Sequence, residues 1–148
     1  MEKSDQGVAD FLRSQPKRVF HEKEALSLLA LFRKTVSRTR TPAAELLADL
    51  ENAGVLERKV LTSEKYAPFV RLAFPEASVF EIAISLRPNS FFSHGSALFL
   101  HGLTLQLPRT IYVNKEQSEK PAPSGALSQE AIDRAFRNPQ RESTYVLH

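Results

Sequence analysis

Two segments with apolar residues at helical spacing, separated by a short basic segment, constrain the fold of this chain more than any other feature. Apolar residues recur with the three- and four-residue spacing of an amphipathic helix: Ala25, Leu28, Leu29 and Phe32 in the first period, and Ala43, Leu46, Leu47 and Leu50 in the second. Thr41 followed by Pro42 is typical of a helix N-cap and first turn, and Gly54 stands where a left-handed C-terminal cap is needed. The pattern predicts two helices packed on a common core.

The segments on either side of this helix pair predict one more helix and three strands. Val8, Phe11 and Leu12 give the first helix its apolar face, and Pro16 ends it. In order, the predictions are a helix over 5–14, a strand over 18–20, a helix over 22–34, a helix capped by Thr41, and a hairpin of 55–61 with 69–74. This is the order of a winged helix-turn-helix.

The second half of the chain is predicted to be a small α/β segment. In order, its predicted elements are a helix over 79–86, a helix over 96–101, a strand over 110–113, an exposed connector over 114–126, and a final helix capped by Ser128 that carries Ala131, Ile132, Ala135 and Phe136. The fold class is therefore α+β, mainly α, with a winged helix-turn-helix over 1–75 and a second segment over 76–148. The apolar extended run at 144–148 favours a truncated chain.

Composition excludes several classes of protein. Apolar residues make up 42% and charged residues 25% of the chain, which is too apolar for a disordered protein. The absence of cysteine excludes disulfides and thiolate chemistry and fits a reducing compartment. No stretch approaches the roughly twenty apolar residues of a membrane span, and the start lacks a signal core. We expect a cytoplasmic protein with no membrane partner.

The charge is divided unevenly along the chain, although the net charge is only +3. Residues 13–40 carry eight bases and two acids, residues 41–57 carry four acids and no base, and residues 58–74 carry four bases and one acid. Residues 75–148 balance seven bases against seven acids. Because the positive charge is concentrated around the predicted helix-turn-helix, the division favours nucleic acid as a partner.

The predicted DNA-binding residues lie in the turn before the third helix and on the hairpin. In a helix-turn-helix, this turn and the start of the third helix approach phosphates and base edges. The predicted set is Arg33, Lys34, Arg38, Thr39, Arg40 and Thr41 from the turn, with Arg58, Lys59 and Lys65 from the hairpin. A guanidinium can span a phosphate or the O6/N7 edge of a guanine. The alternative is that these bases are solvated surface charges.

The third helix itself carries acids and no base, which opposes deep insertion into a groove. Glu45, Asp49 and Glu51 would repel phosphate there. One interpretation lets only the first turn and residues 38–40 enter the groove, which predicts weak or strongly salt-dependent binding. The other makes these three acids the binding face for a protein partner, in a module without sequence-specific DNA binding.

Residue patterns for catalysis or metal binding are weak. The four histidines form no ligand set, because His94 and His101 are two helical turns apart and zinc ligands usually sit closer. Gly95-Ser96 is similar to the Gly-Ser pair of nucleotidyltransferases, but no Asp or Glu follows before Asn114 to hold magnesium. No Gly-x-Ser-x-Gly elbow occurs. We expect no enzyme activity, metal or cofactor, with a nucleotide-using enzyme as the least favoured hypothesis.

One stretch of the second half resembles a known family. The residues SFFSHGSALFLHGLT at 90–104, followed by LPRTIYV at 107–113, resemble the AbiEi-type antitoxins of type IV toxin–antitoxin systems. The resemblance covers residues 66–148 and is looser before them. It implies a packed helix over 93–101 with Ser93 as its cap, beside a strand over 109–113.

The resemblance also implies a function and partners. Members of the family carry an N-terminal winged helix that binds their own promoter and a C-terminal domain that neutralises a nucleotidyltransferase-like toxin. We therefore expect a transcriptional autorepressor whose partners are double-stranded promoter DNA and a cognate toxin. Winged helices often bind paired half-sites as dimers, so a homodimer on DNA is also expected, although no heptad marks its interface.

Overall fold

The computed structural model describes residues 3–37, 40–116, 128–137 and 143–148. Within these ranges the fold is α+β, with six α-helices and two antiparallel sheets. The helices are α1 (Lys3–Arg13), α2 (Glu22–Phe32), α3 (Ala43–Asn52), α4 (Val79–Ile84), α5 (His94–Leu100) and α6 (Gln129–Arg137). The strands are β1 (Val19–Phe20), β2 (Glu57–Thr62), β3 (Phe69–Ala73), β4 (Ser90–Phe92), β5 (Val113–Lys115) and β6 (Val146–Leu147).

The larger sheet has the strand order β1-β3-β2-β6. β2 and β3 pair from Glu57 with Ala73 to Leu61 with Phe69, which confirms the predicted hairpin. β1 pairs with the other edge of β3. β6 pairs with β2, and the His148 N–H donates to the Val60 carbonyl at 2.9 Å. The sequence predicted extended backbone at this last segment but not its partner.

The main core lies between helices α1, α2 and α3 and strand β3. Its most buried members come from every one of these elements: Val8, Leu12, Phe20, Ala25, Leu29, Phe32, Leu46, Leu47, Leu50, Leu56, Leu72 and Phe74. Leu28 and Ala43 are partly buried against it. The predicted apolar faces of both central helices are thus confirmed. Removing these side chains from water is the main favourable term for the first half of the chain.

Local hydrogen bonds confirm the C-terminal end of α3 and shift its start. Gly54 has φ +67°, its N–H donates to Glu51, and the Val55 N–H donates back to the Leu50 carbonyl at 2.9 Å, which forms a Schellman cap. At the other end the N-cap residue is Pro42 rather than the predicted Thr41. Pro42 has extended ψ, so the helix begins one residue later than the Thr-Pro pattern indicates.

Helix α2 also differs slightly from the prediction. It ends at Phe32, and a five-residue π-helical turn, Arg33–Ser37, follows it instead of a helix continuing to residue 34. Its N-cap is His21, whose Nδ1 accepts from the Lys23 N–H at 3.2 Å. His21 therefore has a capping role in the fold.

The smaller sheet corrects the predicted strand at 110–113. The strand is β5, and it pairs with β4, which the sequence did not predict. The Ser93 N–H donates to the Tyr112 carbonyl at 3.0 Å, in register with the ladder, but the Tyr112 N–H donates to the Oγ of the buried Ser96 at 2.8 Å rather than back to Ser93, so the strand begins at Val113. Residues 114–115 are thus strand rather than connector, and residues 117–127 of that connector lie outside the described residues.

The helices of the second half agree with the sequence in number and approximate position. α4 ends two residues earlier than predicted, and α5 begins two residues earlier and ends just before Gly102. Ser93 is the N-cap residue of α5, as the resemblance implied, but its hydroxyl contacts His94 Nδ1 at 2.9 Å and accepts from no helix N–H. The Ser128 hydroxyl does accept from the Ala131 N–H, which confirms the predicted cap of α6.

Apolar side chains from both sides of residue 75, the predicted domain boundary, pack together. Ile82 of α4 is buried in one cluster with Val19, Leu61 and Ala73 of the larger sheet. The division into 1–75 and 76–148 stays a prediction. α4 and the sheet nevertheless share a core, so residues on both sides of position 75 form the surfaces described below.

We predict that Gly54→Ala and Gly95→Ala change stability in opposite directions. An alanine at φ +67° costs about 1–2 kcal/mol, because its Cβ approaches the following carbonyl in left-handed backbone. Gly95 lies in α5 without positive φ, and the position that a Cβ would occupy is open space, so alanine there gains about 0.5 kcal/mol from helix propensity. Urea denaturation of both variants measures the difference. Equal effects at the two positions would contradict the Schellman assignment.

We predict a pH-dependent contribution from the capping box at the start of α4. Hydrogen bonds from the Ser78 N–H and hydroxyl lower the pKa of Glu81, with Arg18 adding a smaller effect. A carboxyl with a lowered folded-state pKa stabilises the fold above its unfolded pKa, near about 4.3, and this stabilisation is lost as the pH falls through the folded pKa.

The measurement is the urea midpoint of the wild type and of Glu81→Gln at successive pH values from neutral to acidic. The difference between the two proteins should shrink as the pH falls, because protonation removes the carboxylate charge that the variant already lacks. Glu64→Gln, at the exposed hairpin tip, serves as the control. A wild-type advantage that is constant with pH would show that the cap does not depend on the carboxylate charge.

Candidate nucleic-acid interface

The turn between α2 and α3 brings two of the predicted arginines together. The Arg33 Nη2 donates to the Arg40 carbonyl at 3.2 Å, which closes the turn across seven residues. Thr35 Oγ1 donates to the Leu31 carbonyl at 2.9 Å and ties the π-helical turn to the end of α2. Lys34 and Arg40 are exposed. The turn is therefore a locally bonded structure that presents cations directly before α3.

Four of the predicted bases have no carboxylate partner. In the part of the chain that the structure describes, no carboxylate oxygen lies within 4.0 Å of the side-chain nitrogens of Arg33, Lys34, Arg40 or Lys65. Other bases in the same basic segment do have one, in the pairs Arg13–Glu76, Lys17–Glu24 and Arg18–Glu81. Among the described bases of residues 13–40, those without such a pair are Lys23 on α2 and the three at the turn, so most of the unpaired charge of this segment lies at the turn.

Arg58 and Lys59 are held by acids of this chain. The Arg58 guanidinium binds Glu51 through two bonds, at 2.9 and 3.1 Å, and reaches Glu22 at 3.4 Å. Hydrogen bonding to Glu51 is the largest cause that raises the pKa of Arg58. Lys59 pairs with Glu57 at 2.6 Å. Because Arg58 joins the last turn of α3 to the first turn of α2, it lies at the opposite end of α3 from Arg40.

The remaining predicted residues lie at three places. Lys65 is exposed at the tip of the β2–β3 hairpin, where its N–H donates to Ser63 Oγ at 3.4 Å. Thr41 is half-buried directly before the N-cap of α3. Arg38 and Thr39 lie outside the described residues. The structure thus brings together Arg33 and Arg40, with Lys34 beside Arg33, and separates them from Arg58.

The three acids of α3 do not share one face. Glu45 and Asp49 are four residues apart, so they lie on the same side of the helix, and both are exposed. Glu51 lies about 120° around the helix from Glu45 by the helical repeat, and its carboxylate binds Arg58. The solvent face of α3 therefore carries two free acids with Ala44 and Ala48, and the third acid has a structural partner.

Two arginines that the sequence analysis did not select line a cleft on another side of the sheet. Arg71 lies within β3 and is only 6% exposed, and Arg87 follows α4. Charged residues are rare inside an apolar strand such as Phe69–Ala73, so the position of Arg71 is a sequence signal that could have identified it as a candidate functional residue. Its partners come from residues 85 and 86, which sequence spacing does not reveal.

Metal and membrane features can be stated for the described residues. Within these ranges, no three His, Asp or Glu side chains come together as a metal site. None of the described helices is long and apolar enough to cross a membrane.

Comparisons of the chain with protein-family models, with curated proteins and with solved structures found no match. The resemblance to AbiEi-type antitoxins therefore rests on the sequence stretches quoted above. The candidate functional surfaces are the basic turn between α2 and α3, the tip of the β2–β3 hairpin and the acidic face of α3.

Proposed function

We propose that the first half of the chain is a winged helix that binds duplex DNA through the α2–α3 turn and the hairpin tip. The element order and the antiparallel arrangement β1-β3-β2 support this proposal. In the proposed winged helix, the β2–β3 hairpin would serve as the wing beside the helix pair. Arg33, Lys34 and Arg40 would contact phosphates on one side, and Lys65 would contact the neighbouring backbone.

The observation that carries the proposal is that no described carboxylate lies within 4.0 Å of these four cations. A base beside a carboxylate gains less from approaching phosphate, because the carboxylate repels the phosphate. An exposed cation without such a pair displaces condensed counterions from DNA, which is the main source of affinity for the phosphate backbone. Arg58 and Lys59 were predicted to contact DNA as well, but their acids make them weak candidates.

The acidic face of α3 limits how this DNA contact can occur. Glu45 and Asp49 point away from the core, where a deeply inserted recognition helix would present base-reading residues. Contact through the turn before α3, including Arg38, Thr39 and Thr41 of the predicted set, keeps these carboxylates out of the groove. We expect moderate affinity that falls steeply with salt.

The resemblance of the second half extends the proposal to a biological role. A cytoplasmic, non-enzymatic autorepressor of the AbiEi antitoxin type would bind its own promoter, as a monomer or a homodimer, and would neutralise a nucleotidyltransferase-like toxin. The absence of a carboxylate pair near Gly95-Ser96 supports a non-catalytic role. The identity of the adjacent reading frame is a direct test of the toxin partner.

We predict that the double variant Lys34→Ala/Arg40→Ala weakens duplex binding and reduces its salt dependence. Each lost phosphate contact should lower the slope of log K against log salt by about one, so the slope should fall by about two. Fluorescence anisotropy with a promoter duplex at several salt concentrations measures it. The control, Arg109→Ala/Arg134→Ala, removes two exposed charges from the second half and should leave the slope unchanged. Equal losses in both variants would disprove a localised interface.

A second candidate function is a protein-interaction module that uses the acidic face of α3. The exposed pair Glu45 and Asp49, on a face with two alanines and no base, favours a basic protein partner. This candidate does not require sequence-specific DNA binding. It retains two of the three acids that the sequence selected, since Glu51 is engaged by Arg58.

We predict that Glu45→Lys/Asp49→Lys distinguishes the two functions. If α3 lies near DNA, charge reversal removes repulsion and raises duplex affinity, most strongly at low salt. If the face binds a protein, the variant loses capture of the product of the adjacent reading frame while its duplex affinity stays unchanged. Ala44→Ser, on the same face without a charge change, is the control for both measurements.

A further inference from the structure

A cleft of about 760 Å³ lies between the segment that follows α1, strand β3 and the segment that follows α4. Its walls include residues 16–19 on one side, Phe69 and Arg71 on the sheet, and residues 84–90 on the other side. The volume falls within the range of small-molecule sites, about 300–1,000 Å³. Of the nine residues that the sequence predicted to contact DNA, the seven that the structure describes do not line this cleft.

Arg71 is a buried cation whose described partners are all neutral. Its guanidinium donates to the carbonyls of Ser85 at 3.3 and 3.1 Å, Leu86 at 3.2 Å and Val70 at 2.8 Å. Among the described residues, no carboxylate lies within 4.0 Å of it. Burial lowers the pKa of Arg71, because the charged form is deprived of water. The negative charge of Glu24 offsets this effect only in part, so an anion placed beside the buried guanidinium would be favoured.

Arg87 brings a second guanidinium to the same part of the cleft. The guanidinium carbon of Arg71 lies 5.3 Å from the centroid of the Phe69 ring, and that of Arg87 lies 5.6 Å from the same centroid. Phe69 therefore makes cation–π contacts with both guanidiniums. Two like charges that contact one aromatic ring repel each other, and an anion bound beside either of them would reduce this repulsion.

The two carboxylates that line the cleft are engaged elsewhere. Glu24 binds Lys17 at 2.8 Å, and Glu81 accepts from Ser78 and lies 3.9 Å from Arg18. Four bases and two acids line the cleft, so its lining carries a net charge of +2 when histidine is neutral. This excess corresponds to Arg71 and Arg87.

We propose that this cleft binds a small molecule through a phosphate or carboxylate group held by Arg71 and Arg87. Arg71 has five N–H donors and makes four hydrogen bonds to carbonyls, which hold the guanidinium plane in place and leave one N–H on Nη1. Guanidinium groups match the geometry of both oxyanions. The apolar walls at Val19, Ile84 and Pro88 would contact the rest of the molecule. The proposal does not depend on DNA binding.

The test is calorimetric titration of the full chain with inorganic phosphate, adenosine monophosphate and citrate, each against sodium chloride of matched ionic strength. We expect saturable binding of at least one probe with a Kd below about 1 mM. Binding of citrate alone identifies a carboxylate ligand, and binding of phosphate and the nucleotide identifies a phosphate ligand. No saturable binding of any probe up to about 10 mM would overturn the proposal.

The variants assign the binding to these two arginines. Arg87→Gln removes an exposed guanidinium and should weaken binding about tenfold or more. Arg109→Gln, an equivalent change outside the cleft, should leave the affinity unchanged. Arg71→Lys keeps the charge but loses the planar fork, and it should also weaken binding; if this variant fails to fold, Arg87→Gln decides. Binding that Arg87→Gln leaves intact would overturn the assignment, as would a loss of duplex affinity in that variant without any probe binding to the wild type.

Discussion

The packing of α1, α2 and α3 against β3 is the interaction on which the rest of the structure depends. Strand β3 lies between β1 and β2, and its buried Leu72 joins the core that contains Leu29 and Leu50. Ala73 contributes to the second cluster, with Ile82 of α4. Because one strand serves both clusters, the basic turn, the hairpin and the cleft all take their positions from the same few buried residues. Loss of a core leucine here would be expected to disturb all three surfaces together.

The distribution of ion pairs gives the two proposed surfaces their chemistry. Arg13, Lys17 and Arg18 are paired with acids from α2, α4 and the loop before α4. The described bases of the α2–α3 turn, Arg33, Lys34 and Arg40, have no described carboxylate within 4.0 Å. Individual exposed pairs contribute little to stability. These pairs neutralise some cations and leave other cations available to bind an anion. Arg71 is available to an anion for a different reason. It is buried, and its backbone carbonyl partners hold the guanidinium in place without neutralising its charge.

The elements with strong local determinants could be predicted from the sequence. The faces of α2 and α3, the Gly54 cap and the Ser128 cap depend on residues within a few positions of each other, and all are confirmed. The prediction was wrong for the strand at 110–113, because the Tyr112 N–H donates to Ser96 Oγ, sixteen residues away, and the strand begins at Val113. The start of α3 was displaced by one residue for a local reason, the extended ψ of Pro42. Of the candidate site, the basic turn could be predicted, but the engagement of Arg58 could not.

The sequence by itself determined the α+β class, the order of helices and strands in the first half, and the concentration of positive charge before α3. These follow from periodicity, capping residues and composition, which act over one or two helical turns. Only the tertiary structure decided that Glu22 and Glu51 engage Arg58, that β6 joins β2, and that Arg71 is buried beside Phe69 and Arg87. The reason is physical: these contacts join residues far apart in the chain, and they exist only after burial of the shared core has brought the elements together.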